Sequence, residues 1–129
     1  MDVLENKDKE VKLLKLLSEI GFLALETGLT KNSQAIFDGI KAIRAESELP
    51  IIGLASVAIV QGKTQEAINL LEKEALKIKP DSDLAKAYLG MSYKLDGHNS
   101  KAEKLLKEVL KTGKDESALS IAKEMLAAQ

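Results

Sequence analysis

The chain has no cysteine, which excludes disulfides, thiolate metal sites and thiol nucleophiles together. Tryptophan is also absent and aromatic residues make up only 3% of 129 positions, so a core has to be aliphatic, built from Leu, Ile and Ala. Neither sign of charge predominates: 19 Lys and Arg stand against 20 Asp and Glu. A nucleic-acid binder needs surplus cations to displace counterions from phosphates, so that class of partner is not expected. No apolar run reaches the roughly 18 residues of a membrane span; the longest uncharged stretch is LPIIGLASVAIVQG, Leu49 to Gly62. The amino terminus, MDVLENKDKE, is acidic and polar where a secretory signal is basic and then apolar. These absences predict a cytoplasmic location without membrane insertion.

Catalytic groups are equally sparse. His98 is the one histidine, in the stretch DGHNS beside Asp96, Asn99 and Ser100. A triad holds its base between nucleophile and orienter by tertiary structure, whereas Asp, Gly, Asn and Ser in sequence are turn formers. The carboxylate pairs Glu72/Glu74 and Asp81/Asp83 lack a histidine in helical register, and GKT at Gly62–Thr64 has Val57 where a phosphate loop needs its first glycine. The lysines at 101, 104, 107 and 111 alternate with Glu103 and Glu108 as on a solvated helix face. No enzyme, metal or cofactor is expected.

What the chain does contain is a repeat. Gly28, Gly62 and Gly97 lie 34 and 35 residues apart. Seven residues before each stands a small residue, Gly21, Ala55 or Gly90, preceded by Ile20, Leu54 or Leu89. Four before are Ala24, Ala58 and Tyr93. Five after come Ala67 and Ala102, with Leu71 and Leu106 four further on; in the first unit the matching alanine is Ala35, which implies a loop two residues longer. Small side chains at this spacing let two antiparallel helices cross closely, and a glycine ends the first helix where a left-handed residue is needed. A hairpin alone leaves an apolar face bare, so such units stack.

The spacing predicts helices at about 8–27, 33–46, 50–61, 65–78, 82–96, 100–112 and 115–127, with boundaries good to about two to four residues. Asp81 or Ser82, Thr64, and a Ser100/Glu103 capping box are the expected helix starts. IIGLASVAIV also reads as a buried strand, but no second strand candidate exists to pair with it. The expected fold is all-α: a right-handed solenoid of three helical hairpins, at 8–46, 50–78 and 82–112, plus a capping helix at 115–127. Residues 1–7 are an extension outside the repeats. The period and its small residues resemble the tetratricopeptide repeat.

In such a stack the first helix of each hairpin lines the concave side. The face taken as lying away from the hairpin partner carries Lys15, Ser18, Phe22 and Leu25, then Leu49, Ile52, Ser56 and Ile59, then Leu84, Ala87, Met91 and Lys94. Phe22, Leu25, Ile52, Ser56, Ile59, Leu84, Ala87 and Met91 would form an apolar groove with Lys15 and Lys94 at its margins. A groove of this kind suits the apolar stripe of an amphipathic helix and lacks the cations that hold acidic peptide tails. The alternative is that these side chains are core, covered by a tight superhelix or by the N-terminal segment.

The order of units resembles the small chaperones of bacterial type III secretion needle subunits, the G-type needle chaperones. LLSEIGFLALETG is similar to their opening and SELPIIGLASVAIVQGKTQEAINLLEK to their second hairpin; AYLGMSYKLDGHNSKAEKLLKEVLKTGKDESALSIAKEML resembles their third hairpin and cap. The resemblance implies a chaperone that holds the C-terminal amphipathic helix of a secreted needle subunit and blocks its premature polymerisation, together with a small helical co-chaperone. The other reading is a general repeat scaffold for protein–protein interaction, alone or as a homodimer.

Overall fold

The computed structural model describes residues 3–128, and all regular structure among them is helical. In order come α1 (Val3–Glu26), α2 (Thr30–Ile43), α3 (Leu49–Val60), α4 (Thr64–Leu70), a π-helical turn (Leu71–Ala75), α5 (Leu76–Ile78), α6 (Asp83–Leu95), α7 (Asn99–Thr112) and α8 (Glu116–Ala127). α4, the π turn and α5 follow one another without a loop. α1 packs on α2, α3 on α4, and α6 on α7, while α8 docks against both α6 and α7. Three hairpins and a cap make an all-α solenoid, and the segment that also read as a strand is α3.

The repeating glycines build the hairpin turns. Gly28, Gly62 and Gly97 have φ of 85°, 77° and 86°, a region that strains any side chain bearing a Cβ. At each one the glycine N–H donates to the carbonyl three residues back (Leu25, Ile59, Lys94), and the next N–H to the carbonyl five back (Ala24, Ala58, Tyr93). This paired pattern satisfies carbonyls that a helix end leaves open.

Four sequence expectations change here. The first turn is not longer than the others: Ser33, not Ala35, is the buried residue five beyond Gly28, equivalent to Ala67 and Ala102. Its hydroxyl donates to the Gly21 carbonyl at 2.8 Å, so a serine is satisfied where the other units need alanine. α7 begins at Asn99, one residue too early for Ser100 to cap it, and Thr64 sits inside α4. Ser82 does cap α6, accepting from the Ala85 N–H at 3.1 Å. The expected N-terminal extension is helical from Val3, supported by a Glu5–Lys9 pair one turn apart and by Arg44 reaching Glu10 at 3.0 Å. Residues 1 and 2 of that extension, and Gln129, lie outside the described residues.

The close crossings fall where the small residues predict them. A methyl built on Gly21 would meet the Phe37 ring at 2.7 Å, and one on Gly90 would meet Leu106 at 2.5 Å. Gly53 on α3 presses closer still against the same ring, at Cδ1, Cε1 and Cγ. Phe37 is wholly buried between α1 and α3, and through Ile40 and Val57 it joins the first two hairpins. A second cluster runs from Ile51 and Ile52 through Leu71 to Ala85 and Leu89. A third joins Ala87, Leu106 and Val109 to Ala118 and Ala122 of the cap. The π turn carries one extra residue, so the buried position after it is thirteen beyond the glycine (Ala75), where the other hairpins have twelve (Ile40, Val109).

Candidate binding surface

The groove expected from the sequence is largely closed. Ile52 and Ala87 are fully buried and Ser56 nearly so. These three cannot meet a guest, and their assignment as groove residues is corrected. The physical reason is that a helix in the middle of a stack has two docked sides. Ile52 belongs to the cluster that reaches Ala85 and Leu89 of α6. Ala87 belongs to the cluster containing Ala118 and Ala122 of α8. The chosen face therefore turns toward the next unit as much as toward an open trough.

Lys94 is corrected as well. Its ammonium donates to the carbonyls of Met125 and Ala128 at the end of α8, so it fastens the cap. Phe22, Leu25, Ile59, Leu84 and Met91 are half-buried, and Lys15 is exposed.

Two rings help to close the middle. Phe22 of α1 stands 5.0 Å edge-to-face from Phe37 and 6.4 Å, stacked, from Tyr88 of α6. The first and third hairpins thus touch across α3. Burial raises the Tyr88 phenol above its ordinary pKa, with the polar Ser56 side chain acting the other way.

What stays open is a trough of about 280 Å³ at the amino-terminal end of that face. Val11, Leu14, Lys15 and Ser18 of α1 form one wall; Arg44, Glu46, Ser47 and Leu49 form the other, over Ile40. Val11 is 56% exposed and Leu49 38%, so the rim is apolar and reachable. Arg44 closes one edge through Glu10 at 3.0 Å and Glu46 at 3.1 Å. The sequence reading placed Lys15, Ser18 and Leu49 on this face but missed Val11 and Leu14, which share a face at i, i+3. A larger cleft of about 440 Å³ lies between α7 and α8, but its rim is charged, with Lys107 paired to Glu103 at 2.6 Å and Lys94 held by the cap.

The histidine turn is structural. Asp96 accepts from Thr64 Oγ1 at 2.6 Å and pairs with His98 Nε2 at 3.0 Å, linking the turns of the second and third hairpins. The carboxylate stands in the middle, whereas a triad needs the imidazole there. Among the described residues no group of three His, Asp or Glu could hold a metal ion, and no helix is long and apolar enough to cross a membrane.

Tyr93 donates to Glu72 Oε1 at 2.5 Å, with Lys101 over its ring. Burial, and then the bond to the Glu72 carboxylate, push the phenol up to about 12 from 10. A pKa raised on folding gives stability that is complete below pH 10 and lost as pH climbs through about 12. Thermal melts across that window are expected to fall more steeply for the native chain than for Tyr93→Phe; parallel slopes would refute the bond.

This geometry, helical hairpins stacked around a lengthwise face with no chemistry at its centre, is that of a repeat protein. A model of the tetratricopeptide repeat family matches residues 58–127, more than half of the chain, and the chain belongs to that family. It is also similar to a solved structure, the first TPR of Spaghetti (RPAP3) bound to HSP90 peptide SRMEEVD, with a TM-score of 0.67. Identity is 16%, over 89% of this chain and 94% of that one, a likeness of fold. No curated protein sequence matches the chain.

Proposed function

We propose that this chain is a protein–protein interaction module, three hairpins and a cap acting as one unit, and that it takes an apolar segment of a partner in the α1–α3 trough. The trough itself carries the reading: an apolar rim, Val11 and Leu49, over a floor containing Ile40, in a fold whose relative holds a peptide. That relative binds an acidic peptide, SRMEEVD. Here the one guanidinium on the trough is already engaged by Glu10 and Glu46, which favours apolar over acidic ligands.

A narrower version makes the ligand the amphipathic C-terminal helix of a type III secretion needle subunit, with a small co-chaperone. It rests on the sequence resemblance. Burial of Ile52, Ser56 and Ala87 removes the centre of the surface it needs, so the general interaction module is the better supported reading.

The test is fluorescence anisotropy with two labelled probes, a leucine-rich amphipathic helical peptide and SRMEEVD. The amphipathic peptide is expected to bind more tightly, and Val11→Asp with Leu49→Asp to weaken it at least tenfold, about 1.4 kcal/mol, with circular dichroism unchanged. Preference for SRMEEVD, or indifference to the two charges, sinks the reading. Co-expression with a needle-like subunit tests the narrower version: failure to co-purify removes it.

A further inference from the structure

Leu13, Leu16, Ile20 and Leu23 form a row along α1, on a different face from the trough residues Val11, Leu14 and Ser18. They are 55%, 52%, 43% and 58% exposed, a contiguous apolar row beyond the singly scattered hydrophobics normal on a surface. The repeat register explains what this row is. Positions twelve, eight and five before the turn glycine are Leu16, Ile20 and Leu23 in the first hairpin. In the second they are Pro50, Leu54 and Val57, and in the third Ala85, Leu89 and Ser92. Pro50, Val57, Ala85, Leu89 and Ser92 are buried, and Leu54 packs against the cluster of Phe37 and Ile40. These are the positions at which each hairpin receives the one before it. On α1 the same interface is built and stands bare.

The charges beside the row select the occupant. Lys12, Lys15, Glu19 and Glu26 lie on one flank of the stripe, with the lysines toward the helix start and the glutamates toward its end. Two copies of α1 laid antiparallel about a two-fold axis at residue 18 set Leu13 against Leu23 and Leu16 against Ile20, and bring Lys12 of each within a turn of Glu26 of the other, and Lys15 within a turn of Glu19. Parallel copies would turn this flank toward the opposite, uncharged flank of the partner, with Leu17, Gly21 and Ala24, and make neither pair. From the repeat register and this charge order together, we infer that the chain forms a symmetric dimer through α1, with Leu13, Leu16, Ile20 and Leu23 of two copies packed antiparallel. A two-fold interface needs this kind of self-complementary patch.

Sedimentation equilibrium of the full chain over the micromolar range tests it. The native chain is expected to be a dimer. Leu16→Glu with Leu23→Glu is expected to be a monomer of unchanged helicity, since both side chains are exposed. Lys12→Glu and Glu26→Lys are each expected to weaken the dimer several-fold through paired like charges, and an equimolar mixture of the two variants to restore it, because both cross-pairs become opposite. A native chain that stays monomeric overturns the proposal and leaves the row to a different helical protein. A dimer that survives the double glutamate variant overturns it too, and a mixture no tighter than its components overturns the antiparallel register. The trough is untouched by these changes, so peptide binding there stands or falls separately.

Discussion

Phe37→Ala is expected to lower stability by about 3–5 kcal/mol, the loss typical of deleting a buried aromatic and leaving part of its cavity. Against a total of about 5–15 kcal/mol for a domain, that brings the chain close to unfolding. The sharper expectation concerns its neighbour. Alanine is a better helix former than glycine by about 1 kcal/mol, so Gly53→Ala would stabilise an open helix. In the native chain the new methyl drives into the Phe37 ring, and overpacking of about 1–3 kcal/mol outweighs the propensity gain. With Phe37 already reduced to alanine, Gly53→Ala is expected to stabilise. Urea unfolding of the two single variants and the double variant measures this reversal of sign. A Gly53→Ala effect of the same sign in both backgrounds would mean that the two side chains do not meet as described.

Leu106→Ala is the second large effect, about 2–5 kcal/mol. Leu106 lies over Gly90 and shares its cluster with Ala102, Val109, Ala118 and Ala122, so it is the largest buried side chain between the third hairpin and the cap. α8 contributes only alanines to the fully buried part of that cluster, and Leu119, Ile121, Met125 and Leu126 to its partly buried edge. Amide exchange is expected to quicken in α8 well before it does in α3. Uniform loss of protection across the chain would contradict a locally docked cap.

How much of this could be read in the sequence follows from which constraints are local. The turn glycines were legible because a left-handed residue, a small residue seven before it and a bulky one nine beyond it are all properties of one hairpin. Periodicity selects Ala35 in place of Ser33 because a hydroxyl in a core position looks wrong until its partner, the Gly21 carbonyl, is seen across the hairpin. Thr64 looked like a cap for the same reason; its hydroxyl is committed to Asp96 in another turn. The π turn has no signature in LEKEA, which is compatible with an ordinary helix. The groove failed on a question of counting neighbours. Periodicity separates the side of a helix facing its own hairpin partner from the rest, but it does not divide the remainder between solvent and the following unit. Ile52 and Ala87 went to the following unit, while Val11 and Leu14, near the free end, kept a reachable face.

A stack of repeats ordinarily responds like a spring, since each coil touches only the next and the whole can stretch, bend or fray from an end. The stacked pair Phe22 and Tyr88 joins the outer coils directly, skipping the middle one. A spring stapled across its turns loses its give between the staples: the three coils are held to one curvature and open together, while the cap beyond them stays free to come away first.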